Sequence, residues 1–200
     1  MRIIAGALKG RRLESPSWEG LRPTSDKLRE TLFNVLAPRM AGARVFDGYA
    51  GTGALGLEAL SRGASHVTFV EHDRRARELM ATNLARCEIT EGYVIIGTTV
   101  LQAIDTLKAQ RPFEPFEIVL LDPPYAGPRA ARRHLGAVNS AATDDTHDVL
   151  QAVGAIVAAN GVVVLEHDAK HSPPAAPGTL RRTRVLVSGD SGLTFYSCQP

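Results

Sequence analysis

Phe46-Asp47-Gly48-Tyr49-Ala50-Gly51-Thr52-Gly53-Ala54-Leu55-Gly56 is the stretch on which the fold turns. Apolar residues run into an acid, then into a glycine-rich turn, then into Ala54-Leu55-Gly56-Leu57, the form of a strand, a tight loop and a helix start. Outward from it the pattern alternates. The spacing predicts strands over 44–47, 67–71, 93–96, 116–121 and 162–167, and helices over 53–62, 73–86, 100–110 and 149–159. That alternation implies a mostly parallel sheet with helices on both faces, an α/β fold of Rossmann-like type. Residues 180–187 and 193–198, joined across Ser188-Gly189-Asp190-Ser191-Gly192, read as an antiparallel C-terminal hairpin.

The strand over 116–121 ends in Asp122-Pro123-Pro124-Tyr125. In an open α/β sheet the carboxyl edge of the strands is where ligands bind. An exocyclic amine of a nucleobase is a poor nucleophile, because its lone pair is delocalised into the ring. Two acceptors on its hydrogens would pull it toward a reactive, tetrahedral geometry. Asp122 offers one acceptor, and the Pro123 carbonyl, in a chain stiffened by Pro123 and Pro124, offers the other. Tyr125 offers a ring on which a base can stack. These four are the candidate catalytic residues. Asp-Pro-Pro is also ordinary turn chemistry after a strand.

The glycine stretch holds a literal G-x-G-x-x-G at Gly51, Gly53 and Gly56, which nominally suggests a dinucleotide. Asp47 at the strand end argues otherwise, because a carboxylate there would repel a pyrophosphate. It suits the ammonium and sulfonium end of S-adenosylmethionine, a cofactor without phosphates. The candidate cofactor-binding residues are therefore Asp47, Tyr49, Gly51, Thr52 and Gly53, with Glu71 and His72 for the ribose hydroxyls. Gly97 and Thr98 follow the third strand and face the adenine.

The 200 residues suit one ordinary domain, and 44% hydrophobic with 22% charged residues is a globular composition. No stretch approaches the ~20 apolar residues of a membrane span, and the start has no signal-peptide core, so a cytoplasmic location without membrane contact is expected. Cys87 and Cys198 are too few for a disulfide framework. His167 and His171 fall at i, i+4 spacing without an acidic or thiol cluster beside them, and no metal is expected.

The net charge is only +2, but residues 1–30 carry seven basic against four acidic side chains. A basic arm for a polyanion is one reading of that asymmetry. A short hairpin over 2–5 and 11–14 opens the chain. Thr24 is a plausible N-cap for a helix whose stripe is Leu28, Leu32, Val35 and Leu36 and which is predicted to stop near Pro38. Residues 1–40 are thus a basic hairpin-and-helix extension, and 41–200 the main domain. Between 128 and 160 the sequence is alanine-rich and polar, in the manner of an insertion.

The chain resembles the class I S-adenosylmethionine-dependent methyltransferases, and within them the RsmD family of bacterial 16S ribosomal RNA guanine-N2 methyltransferases. The resemblance rests on Arg2-Ile3-Ile4-Ala5-Gly6 with Lys9-Gly10-Arg11, and on Leu21-Arg22-Pro23-Thr24 with Asp26 and Arg29-Glu30-Thr31-Leu32-Phe33-Asn34. It rests also on the run from Gly51 to Ala64, on Asp122-Pro123-Pro124-Tyr125 and on Gly189-Asp190 before the last strand. It implies methyl transfer to the N2 amine of a guanine in 16S ribosomal RNA, within the small subunit or an assembly intermediate; separately from the resemblance, a monomer is expected. It implies RNA docking by Arg2, Lys9, Arg11, Arg22, Thr24 and Arg29. The loop chemistry alone leaves open guanine or adenine, an adenine in DNA or a protein glutamine as acceptor, and a non-catalytic RNA-binding assembly factor as another class of function.

Overall fold

Seven strands, β1 (Arg44–Asp47), β2 (His66–Val70), β3 (Tyr93–Ile96), β4 (Phe116–Leu121), β5 (Val157–Asp168), β6 (Leu180–Ser188) and β7 (Ser191–Cys198), lie in the order β3-β2-β1-β4-β5-β7-β6. The computed structural model describes residues 1–16, 18, 26–124 and 145–198. β1 to β5 run parallel, and β7 pairs antiparallel with both β5 and β6. The order reverses between β1 and β4, and a crevice opens at the carboxyl ends of strands at such a switch point. Asp47 and Asp122 stand on its two sides. The α/β class and the C-terminal hairpin are as the sequence predicts.

The helices α1 (Asp26–Met40), α2 (Ala54–Ser61), α3 (Arg74–Arg86), α4 (Val100–Ala109) and α5 (Thr146–Val153) cover both faces. Val45, Ile118, Leu120, Val164 and Phe195 pack under α1, α2 and α3, and Phe46, Val119, Leu121, Val163 and Tyr196 pack against α4 and α5. Along β1, β2, β4 and the second half of β5 successive side chains are buried on both faces, which is why these segments read as continuous apolar runs. Local signals start the helices: Asp73 caps α3 by accepting from Arg75 N and Ala76 N, and Thr99 with Gln102 forms a reciprocal capping box on α4. No helix among the described residues is long and apolar enough to cross a membrane.

Three expectations need correction. α1 runs through Pro38 to Met40, because a proline in the last turn sacrifices one backbone bond while Leu36 and Met40 are both buried. The helix expected over 149–159 is α5, which ends at Val153, and 157–160 already belong to β5. There Phe116 pairs with Val157 and Ile118 with Val162, so β5 carries a bulge of three extra residues that broke the apolar pattern. The N-terminal hairpin is a single antiparallel bridge, Arg2 with Arg12, supported by Ile3 N–H to the Arg11 carbonyl at 3.0 Å. Most of the expected insertion and the cap at Thr24 lie outside the described residues.

Candidate active site

Asp47 ends β1 fully buried. Its Oδ2 accepts from Gly56 N at 2.9 Å, tying the strand to the first turn of α2. Its Oδ1 is buried and bonded to no described residue. Burial pushes this carboxyl up to about 7, against the pull of the Gly56 N–H, and the carboxylates of Asp122 and Glu71 push the same way. A buried carboxylate with an unsatisfied oxygen is costly unless a cation or donor meets it. The ammonium of S-adenosylmethionine is such a group, whereas a pyrophosphate beside three carboxylates is not, so the residues fit the former.

The loop after Asp47 is shaped by glycine. Gly53 takes φ +80° at the start of α2, a conformation that L side chains rarely adopt, and a Cβ at Gly48 would press on the Leu121 side chain at 2.6 Å. Gly51 N–H donates to Glu71 Oε2 at 2.9 Å, and Glu71 Oε1 accepts from Asp73 N at 2.8 Å. Glu71 therefore holds the glycine loop against the end of β2, with acceptor capacity left for a ribose hydroxyl. His72 is exposed beside it, Nδ1 at 3.4 Å from Oε1. Tyr49 donates its hydroxyl to Asp145 Oδ1 at 2.6 Å, joining the loop to the start of α5. Thr52 is buried, and its carbonyl accepts from Asn83 Nδ2 at 3.0 Å.

Beyond the end of β3, Gly97 is exposed, and Thr98 turns its hydroxyl onto the Thr99 carbonyl at 3.2 Å. Sequence reasoning missed Arg77 there. Its Nη1 donates to the carbonyls of Glu71 at 3.0 Å and His72 at 2.7 Å, and its guanidinium lies against Gly97, where a Cβ would sit 3.1 Å from Cζ. An arginine among the alternating charges of α3 reads as solvated surface, and only the fold brings it to the strand ends.

Asp122 follows β4 half-buried, Pro123 is buried and Pro124 exposed, while Tyr125 lies outside the described residues. Asp122 lines a crevice of about 10 Å³ with Leu32 of α1, Leu55 of α2, Val164 and Glu166 of β5 and Leu193 of β7. The proposed cofactor loop and the Asp122 loop thus share one edge of the sheet.

The expected RNA-docking residues divide. Arg2 and Lys9 are exposed, as is Arg12, which faces Arg2 across the bridge. Like charges directly opposite repel, so this pair favours an anion between them. Arg11 is half-exposed and committed to the end of α3, donating to the Arg86 carbonyl at 2.9 Å and pairing with Glu88 at 3.0 Å. Arg29 is a correction: its side chain is wholly buried, paired with Asp26 at 2.9 Å and donating to the Arg2 carbonyl, so it braces the arm from beneath. Arg22 and Thr24 lie outside the described residues.

The arm is fastened to the helix that the glycine loop opens. Buried Glu58 of α2 accepts from Ile4 N at 2.7 Å and Ala5 N at 3.0 Å, and Arg62 holds it at 2.7 Å. Ser61 Oγ accepts from Leu8 N at 3.0 Å. Gly6, at φ +85°, lies so close to Ser61 that a Cβ would overlap its carbonyl. Buried Asn83 of α3 accepts from Glu14 N at 2.7 Å while donating to Thr52, so one side chain touches both the arm and the loop.

Comparison with known proteins gives a consistent picture. A family model described as "Conserved hypothetical protein 95" matches residues 1–197. Ribosomal RNA small subunit methyltransferase D of Escherichia coli (strain K12) is 35% identical over 196 residues, covering 98% of this chain and 89% of that one. The protein of the same name from Haemophilus influenzae is 42% identical over 127 residues, 62% of this chain and 64% of that one. A solved structure of a hypothetical protein from Thermus thermophilus matches with a TM-score of 0.76 at 30% identity, over 98% of this chain and 99% of that one.

Proposed function

The chain belongs to the family described as Conserved hypothetical protein 95, and from that premise we propose that it transfers a methyl group from S-adenosylmethionine to the exocyclic N2 amine of a guanine in 16S ribosomal RNA. The observation that carries this reading is the pair of carboxylates at the switch point. Asp47 sits on the cofactor side, with an unsatisfied oxygen, and Asp122 on the other, followed by two prolines. The relatives' names, small-subunit ribosomal RNA methyltransferases, support the RNA as substrate.

When bound, S-adenosylmethionine supplies an electrophilic methyl group on a sulfonium. Asp47 meets the ammonium, Glu71 with His72 receives the ribose, Gly51, Thr52 and Gly53 let the backbone approach, and Tyr49, Gly97 and Thr98 border the ligand. Asp122 accepts one hydrogen of the target amine and the Pro123 carbonyl the other, turning the nitrogen lone pair out of conjugation. Pro124 stiffens the loop and Tyr125 stacks the base. As positive charge develops on the nitrogen, Asp122 stabilises it, and the methylated amine is acidic enough to release its proton to water. The rest is proximity and orientation. The base must leave its stack to reach the loop, which points to a bulge or loop in the RNA.

Residues 1–40 act as the RNA-docking extension and 41–200 as the methyltransferase domain. Arg2, Lys9 and Arg12 meet phosphates directly, Arg22 and Thr24 add further contacts to the RNA, and Arg11 and Arg29 position the arm. The protein works as a cytoplasmic monomer on the small subunit or an assembly intermediate. Labelled donor offered together with unmodified small subunits, duplex DNA and a glutamine-bearing protein is the test. Label in the subunit RNA alone is expected, and label in DNA or protein instead would overturn the reading.

A further inference from the structure

Leu120 pairs with Val164 and Leu121 with Leu165 on the parallel strands β4 and β5. Asp122 directly follows Leu121 beyond the end of β4, Glu166 directly follows Leu165 within β5, and both come to the same crevice. Glu166 alternates with Val164 on the face that packs under α1, and both carboxylates line the crevice closed by Leu32, Leu55 and Leu193. Glu166 is 7% exposed. Along this edge the sheet thus carries Glu71 just beyond β2, Asp47 closing β1, Asp122 just beyond β4 and Glu166 inside β5, two residues before its end.

We propose that Glu166 is a specificity-determining residue that accepts the N1–H of the target guanine while Asp122 accepts from its N2 amine. The inference rests on the methyltransferase reading above and supplies what the Asp122 loop lacks, a choice between bases. Guanine presents N1–H and N2–H₂ as adjacent donors, and two carboxylates side by side are adjacent acceptors. Adenine presents its N1 lone pair beside the N6 amine. An ionised carboxylate has no donor for that lone pair and would face it with unpaired charge. Glu166 lies on the strand next to Asp122, on the side away from the glycine loop. There it can touch the base edge without crowding the methyl donor.

The test compares subunits carrying guanosine at the modified position with subunits carrying 2-aminopurine riboside, which keeps the amine at C2 but has an unprotonated N1. Wild-type protein should prefer guanosine by at least about 100-fold, the scale set by an unpaired polar group at a recognition site. Glu166→Gln, whose amide can donate to an unprotonated N1, should reduce that ratio at least about tenfold with unchanged affinity for S-adenosylmethionine. Should the glutamine variant fail to fold, Glu166→Asp serves: withdrawing the charge by one methylene should lower the guanosine rate without raising the other. If the variants that fold keep the wild-type ratio while wild type methylates guanosine, Glu166 is not the reader, and the methyltransferase reading stands. If wild type leaves the guanosine subunit unmodified, the reading itself fails and this inference with it.

Discussion

Asp47 and Asp122 are both carboxylates at strand ends, yet burial gives them different tasks. Asp47 ionises near 3.8 in the unfolded chain but at about 7 when folded. Between those values the folded state holds a proton that the unfolded state has lost, so its contribution reduces stability as pH rises from about 4 to about 7, by a few kcal/mol at most. Asp47→Asn removes that loss, and thermal melts should show the variant gaining on wild type from pH 5 to pH 8. The ionised form is the one that pairs with an ammonium. Affinity for S-adenosylmethionine, measured by calorimetry, should therefore rise as pH passes about 7 in wild type and be weaker and flatter in Asp47→Asn. Asp122→Ala should leave that affinity within about threefold while lowering single-turnover methyl transfer by about 10²-fold or more, the scale of a lost electrostatic stabiliser. Asp47 and Asp122 were legible in the sequence because an acid closing an apolar run is conspicuous. Glu166 and Arg77 were not: one follows four apolar residues inside a strand, and the other hides in a charged helix face.

At the scale of elements, α2 has two attachments. Its start closes the glycine loop, and its second half, through Glu58 and Ser61, seats residues 4–8. Glu58→Ala leaves two backbone N–H groups and Arg62 without their shared acceptor. Loss of about 2–4 kcal/mol in denaturant unfolding is expected, with faster hydrogen exchange at Ile4 and Ala5. Glu58→Gln, keeping one oxygen, should lose less. The run from Gly56 to Ser61 was legible as a motif but not as a fastening, because its partners lie more than fifty positions upstream. Strand and helix periodicity located β1, β3 and β4 to the residue. It failed at the start of β5, where a bulge interrupts the alternation that the eye follows.

For the whole molecule, the strand order places both loops at one edge, and Glu58, Asn83 and Arg29 bind the basic arm to the same body. The arm's exposed charge should show in salt dependence. Replacing Arg2 and Arg12 with Ala should reduce the slope of log RNA affinity against log salt by about 2, with little effect on S-adenosylmethionine binding. The most direct measurement of the central claim is the identity of the methylated nucleoside. Small subunits from cells lacking this protein are incubated with it and labelled S-adenosylmethionine, and the RNA is digested and separated. The label should reside in N2-methylguanosine with the wild-type protein and be reduced by about 10²-fold or more in initial rate with Asp122→Ala. Label in a methylated adenosine, or undiminished N2-methylguanosine with the Asp122 variant, would contradict the account.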